Sequence, residues 1–144
     1  MKKASKILFL IGGIVAILMA VLMLVLAIVF FVDGGISAAI AQDPSVLADL
    51  PQDVVKALND LAKSAGVNTW KALADYCIGL AVVFLFVSLF AIPGAILSFI
   101  ARKDKASMGL IITATAFNIF CWNPVSVVGG VLGIVDCAVN GNKK

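Results

Sequence analysis

Three cysteines and eight aspartates are the main reactive groups in this chain, which has no histidine and no glutamate. Cys77, Cys121 and Cys137 form no CxxC or other metal-binding spacing. Without histidine the usual nitrogen ligands are also missing, so no metal site and no cofactor is expected. General acid–base chemistry needs a positioned group that titrates near its working pH. The aspartates supply none: Asp49, Asp53 and Asp60 fall along one polar helical face, where solvation explains them. There is no G-x-S-x-G elbow and no glycine-rich phosphate loop. The expectation is a protein that is not an enzyme.

What the cysteines can do depends on where they lie. Cys77 and Cys121 both fall near the outer end of an apolar stretch, so a Cys77–Cys121 disulfide is geometrically open if those stretches are neighbours. The alternative is that all three cysteines are small apolar packing residues.

The apolar stretches dominate the chain. Of 144 residues, 62% are hydrophobic and only 13% charged, and the mean hydropathy is +1.14. A soluble domain of this size cannot hide that much apolar surface. Ile7 to Phe31 is an unbroken run of 25 apolar or glycine residues. As a helix it reaches about 37 Å, enough to cross a hydrocarbon core of about 30 Å with some tilt. The run is longer than a signal-peptide core. An A-x-A pattern at Ala39-Ile40-Ala41 lies well past its end, so the run is expected to be retained.

A second run covers Leu73 to Ile100, interrupted by Asp75 and by Pro93-Gly94, and ends at Arg102, Lys103 and Lys105. A third stretch, Ala106 to Val139, is long enough for two short spans. Its centre holds Trp122-Asn123-Pro124, where Asn123 can cap a helix and Pro124 can start one. The fold class expected is therefore all-α: a polytopic membrane protein, a four-transmembrane-helix bundle forming a single membrane domain. The spans fall at about 7–32, 73–100, 106–122 and 124–140. A pair of re-entrant half-helices is the alternative for the last two.

Charge sets the orientation. Lys2, Lys3 and Lys6 precede the first span, Arg102, Lys103 and Lys105 follow the second, and Lys143 and Lys144 follow the fourth. The segment 33–72 carries five aspartates against three lysines. By the positive-inside rule both termini are cytoplasmic and 33–72 is outside, in a multi-pass protein of the cell membrane. The formal charge of +3 comes from residues at membrane edges, not from a basic stripe, so nucleic acid is not an expected partner.

The outer segment has an extracytoplasmic amphipathic helical part, 43–66. From Pro51 on, Val54, Val55, Leu58, Leu61, Ala62 and Ala65 share one side at helical spacing. Gln52, Asp53, Lys56, Asn59, Asp60 and Lys63 share the other. Gly66 is a natural C-cap. This helix either caps the bundle or docks a partner.

Within the spans, small residues recur at packing intervals: Gly12, Ala16 and Ala20 in the first, Ser126, Gly129, Gly130 and Gly133 in the fourth. Such residues let backbones approach closely where water cannot drive association. They serve either intramolecular packing or a homo-oligomer seam. Asn118 is the candidate for an interhelical hydrogen bond. Trp70, Tyr76 and Trp122 are expected as interface anchors. Together these features predict a small membrane protein acting through association, as an accessory subunit or membrane organiser, with the lipid bilayer and a membrane-protein partner or second copy as its contacts. The alternative is an oligomeric channel, pore or export protein.

Overall fold

A computed structural model describes residues 2–103 and 106–141; the expected basic residues Lys105, Lys143 and Lys144 lie outside them. All regular structure among the described residues is α-helical, in the order α1 (Lys2–Gln42), α2 (Val46–Asp49), α3 (Gln52–Ala65), α4 (Trp70–Ala101), α5 (Met108–Phe120) and α6 (Pro124–Gly141). Two of these, α1 and α4, are long and apolar enough to cross a membrane. The chain is thus an all-α fold with two candidate spans and two shorter apolar helices.

The helix bounds differ from the sequence expectation in ways that have physical causes. The first helix does not stop near residue 32 but runs through Asp33, Gly34 and Gly35 to Gln42. Two glycines cost a helix about 1 kcal/mol each relative to alanine. Packing offsets that cost, since Ile40 is almost completely buried among Leu58, Leu73 and Cys77. Gly34 has a positive role as well: a Cβ there would come within 2.8 Å of Ile78 Cγ1. In the third stretch the first helix is shorter than expected, while α6 keeps close to the expected bounds. Helix α5 begins at residue 108, where Ser107 Oγ caps it by accepting from Leu110 N at 3.2 Å.

The chain folds into two compact units, Met1–Met23 with Phe86–Lys144, and Leu24–Leu85. In the second unit, Ile40, Leu58, Leu73 and Cys77 form a buried cluster. Helix α3 contributes its apolar side to it: Leu58 is buried and Val54, Leu61 and Ala62 pack around it, while Asp53, Lys56, Asn59, Asp60 and Lys63 are exposed. Pro51 separates α2 from α3, because the residue before a proline is pushed from helical backbone; Leu50 is accordingly extended at ψ 144°. Gly66 ends α3 in the left-handed region at φ 69°, its N–H turned back to the last carbonyls. Asp43 closes the α1–α2 junction. Its carboxylate accepts from Ser45 Oγ at 2.7 Å and Ser45 N at 3.0 Å, and the two bonds hold its pKa below the usual carboxylate value.

In the first unit the buried side of α1 is Ser5, Phe9, Gly12, Gly13, Ala16 and Ala20, a stripe at helical spacing. Its opposite face, with Ile7, Ile11, Ile14, Leu18 and Val21, is exposed. Phe90 packs its ring against Phe117 and Phe120 at centroid distances of 5.8 and 5.6 Å.

Candidate functional site

The centre of the first unit is a buried cluster of amides and hydroxyls drawn from four helices and one turn. Asn118, on α5, is fully buried. Its Nδ2 donates to Ala114 O at 2.7 Å, to Ser98 Oγ at 2.9 Å and, more weakly, to Gly94 O at 3.3 Å. Its Oδ1 accepts from Asn123 Nδ2 at 3.1 Å. Asn123, in the turn after α5, also donates to Gly12 O on α1 at 2.7 Å. Its own Oδ1 accepts from Ser126 N at 3.4 Å, capping α6 ahead of Pro124. Ser98 and Ser126 hydroxyls lie 3.3 Å apart.

Further hydrogen bonds extend the cluster along both faces. Ser5 Oγ donates to Gly129 O at 2.8 Å and Ser88 Oγ to Ala20 O at 2.9 Å. Each joins two helices by a side chain reaching a carbonyl that already serves its own helix. Away from water such bonds satisfy groups that would otherwise be costly to bury.

Small residues make these approaches possible. A Cβ on Gly12 would collide with Ser126 Oγ, and one on Gly130 with Thr115 Oγ1. At Gly129 it would lie 2.8 Å from Leu8 Cβ, and at Gly133 2.9 Å from Ser5 Oγ. Ala16 and Ala20 lie on the same buried stripe of α1, at 1% and 8% exposure. The small residues singled out in the sequence therefore face other helices of the same unit. Asn118 also lies in the cluster, among partners from α4 and the α5–α6 turn.

Asn123 was legible from sequence only as a cap. Its bond to Gly12, 111 residues away, has no local signal. Ser5, Ser88 and Ser98 were missed for the same reason, since a lone serine in an apolar helix does not announce its partner.

Cys77, Cys121 and Cys137 are free thiols. Cys77 is packed with Ile40, Leu58 and Leu73. Cys121 is packed with Ala20 and Ala91, and its thiol donates to Phe117 O at 3.0 Å. Each is occupied in a separate apolar cluster. Of the aromatic residues, Trp70 packs partly against the Leu58 cluster, while Tyr76 and Trp122 are 40% and 82% exposed.

The cluster consists of amides and hydroxyls joined to one another and to carbonyls. Its hydrogen bonds join α1, α4, α5 and α6 to one another. Among the described residues no group of three or more potential metal ligands occurs. Asp136, buried on α6, accepts from Asn140 Nδ2 at 2.8 Å, beside a cavity of about 50 Å³ also lined by Ser5, Lys6 and Lys103. In the second unit an open groove of about 520 Å³ runs between the end of α3 and the start of α4, with Asn59, Lys63, Asn68 and Trp70 on its walls.

No family model matches the chain, and no curated protein or solved structure is significantly similar to it.

Proposed function

We propose that the chain is a non-enzymatic integral protein of the cell membrane that acts through association, as an accessory subunit or membrane organiser. The observation that carries this is how little of α1 and α4 is covered. In their most apolar 18-residue windows only 17% and 28% of residues are buried. A core helix of a soluble protein is mostly buried, whereas these present continuous apolar faces that need a nonpolar solvent. In this reading α1 and α4 cross the bilayer.

The basic residues Lys3, Lys6, Arg102 and Lys103 lie at one end of these helices, and the aspartate-rich segment lies beyond the other. That pattern supports cytoplasmic termini. The α5–α6 hairpin returns the chain to its side of entry whether or not its corner reaches the far interface. The sidedness of the termini therefore rests on α1 and α4, and a four-span bundle adds the requirement that α5 and α6 also cross.

Association is supported by the contrast between the two surfaces. The polar atoms of the Asn118–Asn123 cluster are used within one chain, which withdraws them from any pore lining and weighs against the channel alternative. The exposed face of α3, with charges of both signs, remains free to meet a partner outside the bilayer. Affinity isolation in mild detergent tests the proposal. A stoichiometric partner or self-oligomer is expected. A strict monomer with no partner overturns the association reading, and release into the soluble fraction by alkaline carbonate overturns the membrane reading.

A further inference from the structure

The depth of the α5–α6 corner follows from what it touches, given the membrane reading above. Helix α5 has 13 residues, about 20 Å of rise, against a hydrocarbon core of about 30 Å. The corner that follows it is pinned to α1 and α4. Asn123 bonds to Gly12 O, and Cys121 packs with Ala20 and Ala91.

These partners are not at the outer ends of their helices. Along α1, Gly12 is about 9 Å and Ala20 about 21 Å from Lys6. Along α4, Ala91 is about 16 Å from Arg102. Both measures, taken from the basic ends of the helices, are less than the thickness of the hydrocarbon core.

The surface of the corner suits that depth. Ile119, Phe120 and Trp122 are 58%, 62% and 82% exposed. Beside them lies an open groove of about 410 Å³, walled mainly by Ile119, Trp122, Pro124 and Val127. The backbone of the turn is closed: Trp122 N donates to Ile119 O at 3.1 Å and Asn123 N to Asn118 O at 2.9 Å. The amide of Asn123 is spent inward on Gly12 and Asn118. Irregular backbone at membrane depth is tolerated where its polar groups are satisfied by protein.

We infer that α5–α6 is a re-entrant hairpin whose apolar corner docks lipid acyl chains inside the bilayer, so that Trp122 contacts hydrocarbon and not the outer headgroup layer. On this reading Trp122 lies deeper than the outer interface, where its position in the sequence would make it an anchor. It also explains how two helices of unequal and short length can serve as one insertion: the hairpin has one end to place, at the cytoplasmic side, and the other is held by α1 and α4.

Trp122 is the natural probe. W70F protein, in which it is the sole tryptophan, is reconstituted into phosphatidylcholine vesicles brominated either near the headgroup or near the chain ends. The inference expects a larger fractional loss of Trp122 emission with the deep bromines, and little loss with aqueous iodide. Equal or greater loss with the shallow bromines overturns it, as does strong quenching by iodide. Wild-type protein compared with W122F gives the same contrast as a difference signal where W70F does not fold. Vesicle flotation separates the two claims: protein that floats but is quenched at the surface removes the re-entrant corner alone, whereas protein that does not float removes the membrane reading and the corner with it.

Discussion

The side-chain amide of Asn123 donates to the main-chain carbonyl of Gly12 across 2.7 Å, and this bond ties the turn between the last two helices to the first helix of the chain. The same amide group caps α6 through Oδ1 and meets Asn118 through Nδ2. Asn123 thus joins α1, α5 and α6 at one point, where its surroundings give it no water to fall back on.

Substituting Asn123→Ala removes the bond to Gly12, the cap of α6 and the partner of Asn118 Oδ1 together. The expected loss is about 1–3 kcal/mol of stability, read as a lower unfolding temperature in detergent. N123D retains the capping oxygen but has no N–H for Gly12, and is expected to be destabilised as well. An unchanged unfolding temperature in both variants contradicts the assignment of Asn123 as the tie.

The glycines divide into two classes with opposite expected signs. G12A places a Cβ against Ser126 Oγ, and G130A places one against Thr115 Oγ1; overpacking of this kind costs about 1–3 kcal/mol. Gly35 and Gly79 sit in helices with open space where a Cβ would stand, so G35A and G79A are expected to stabilise by about 0.5–1 kcal/mol. Thermal unfolding of the four variants checks this, and G12A combined with S126G is expected to recover part of the loss. Equal effects across both classes would remove the close-packing argument.

These cases also mark what the sequence makes legible. Local signals carried well: Gly66 stops α3, the Asn-Pro pair turns the chain before α6, and the two-sided pattern of Val54 to Ala65 matches the buried and exposed sides of α3. Each is decided within a few residues. The length of α1 was not legible, because the apolar run ends at Phe31 and the helix continues on packing made far along the chain, with Gly34 against Ile78 and Ile40 buried among Leu58, Leu73 and Cys77. Nor was the set of bonds around Asn118. Ser98 and Gly94 come from another helix, and no periodicity names a partner 20 or 24 residues away. Small residues at four-residue spacing gave the packing face of α1 but not what packs on it.

Leu58 tests the second unit. It is 2% exposed and lies between Ile40, Leu73 and Cys77. L58A is expected to cost about 2–5 kcal/mol, the range for a large-to-small change in a packed core. K56A, on the exposed side of the same helix, is expected to stay within about 0.5 kcal/mol. Limited proteolysis of the 43–66 segment reads the difference, with faster cleavage for L58A; equal rates would mean the segment does not depend on that cluster.

Acid should loosen the α1–α2 junction first at Asp43. Its pKa is lowered, with the Ser45 hydroxyl bond the larger cause and the Ser45 N–H bond the second. A carboxylate depressed in the folded state contributes its stability above the unfolded value of about 3.9. That contribution is lost as pH falls through the lower folded value. Protection of the Ser45 amide against hydrogen exchange, corrected for intrinsic rates, is expected to hold from neutral pH to about pH 4 and to decline below it. D43N is expected to remove this dependence. A protection profile that stays flat to lower pH in the wild-type protein would contradict it.

Trp122 gives a gain-of-stability prediction. It occupies the position after α5 that most often belongs to glycine, with φ 54°, while the two turn bonds from Trp122 N and Asn123 N close the helix end. Left-handed backbone costs a residue with a side chain about 1–2 kcal/mol. With Trp122 82% exposed, its ring has little intramolecular packing to lose. W122G is therefore expected to unfold at a higher temperature than the wild type in detergent, by relief of about 1 kcal/mol. In vesicles the same substitution removes the ring that contacts lipid, and the gain is expected to shrink. A lower unfolding temperature for W122G in detergent would mean that the indole packs against the protein more than its exposure indicates.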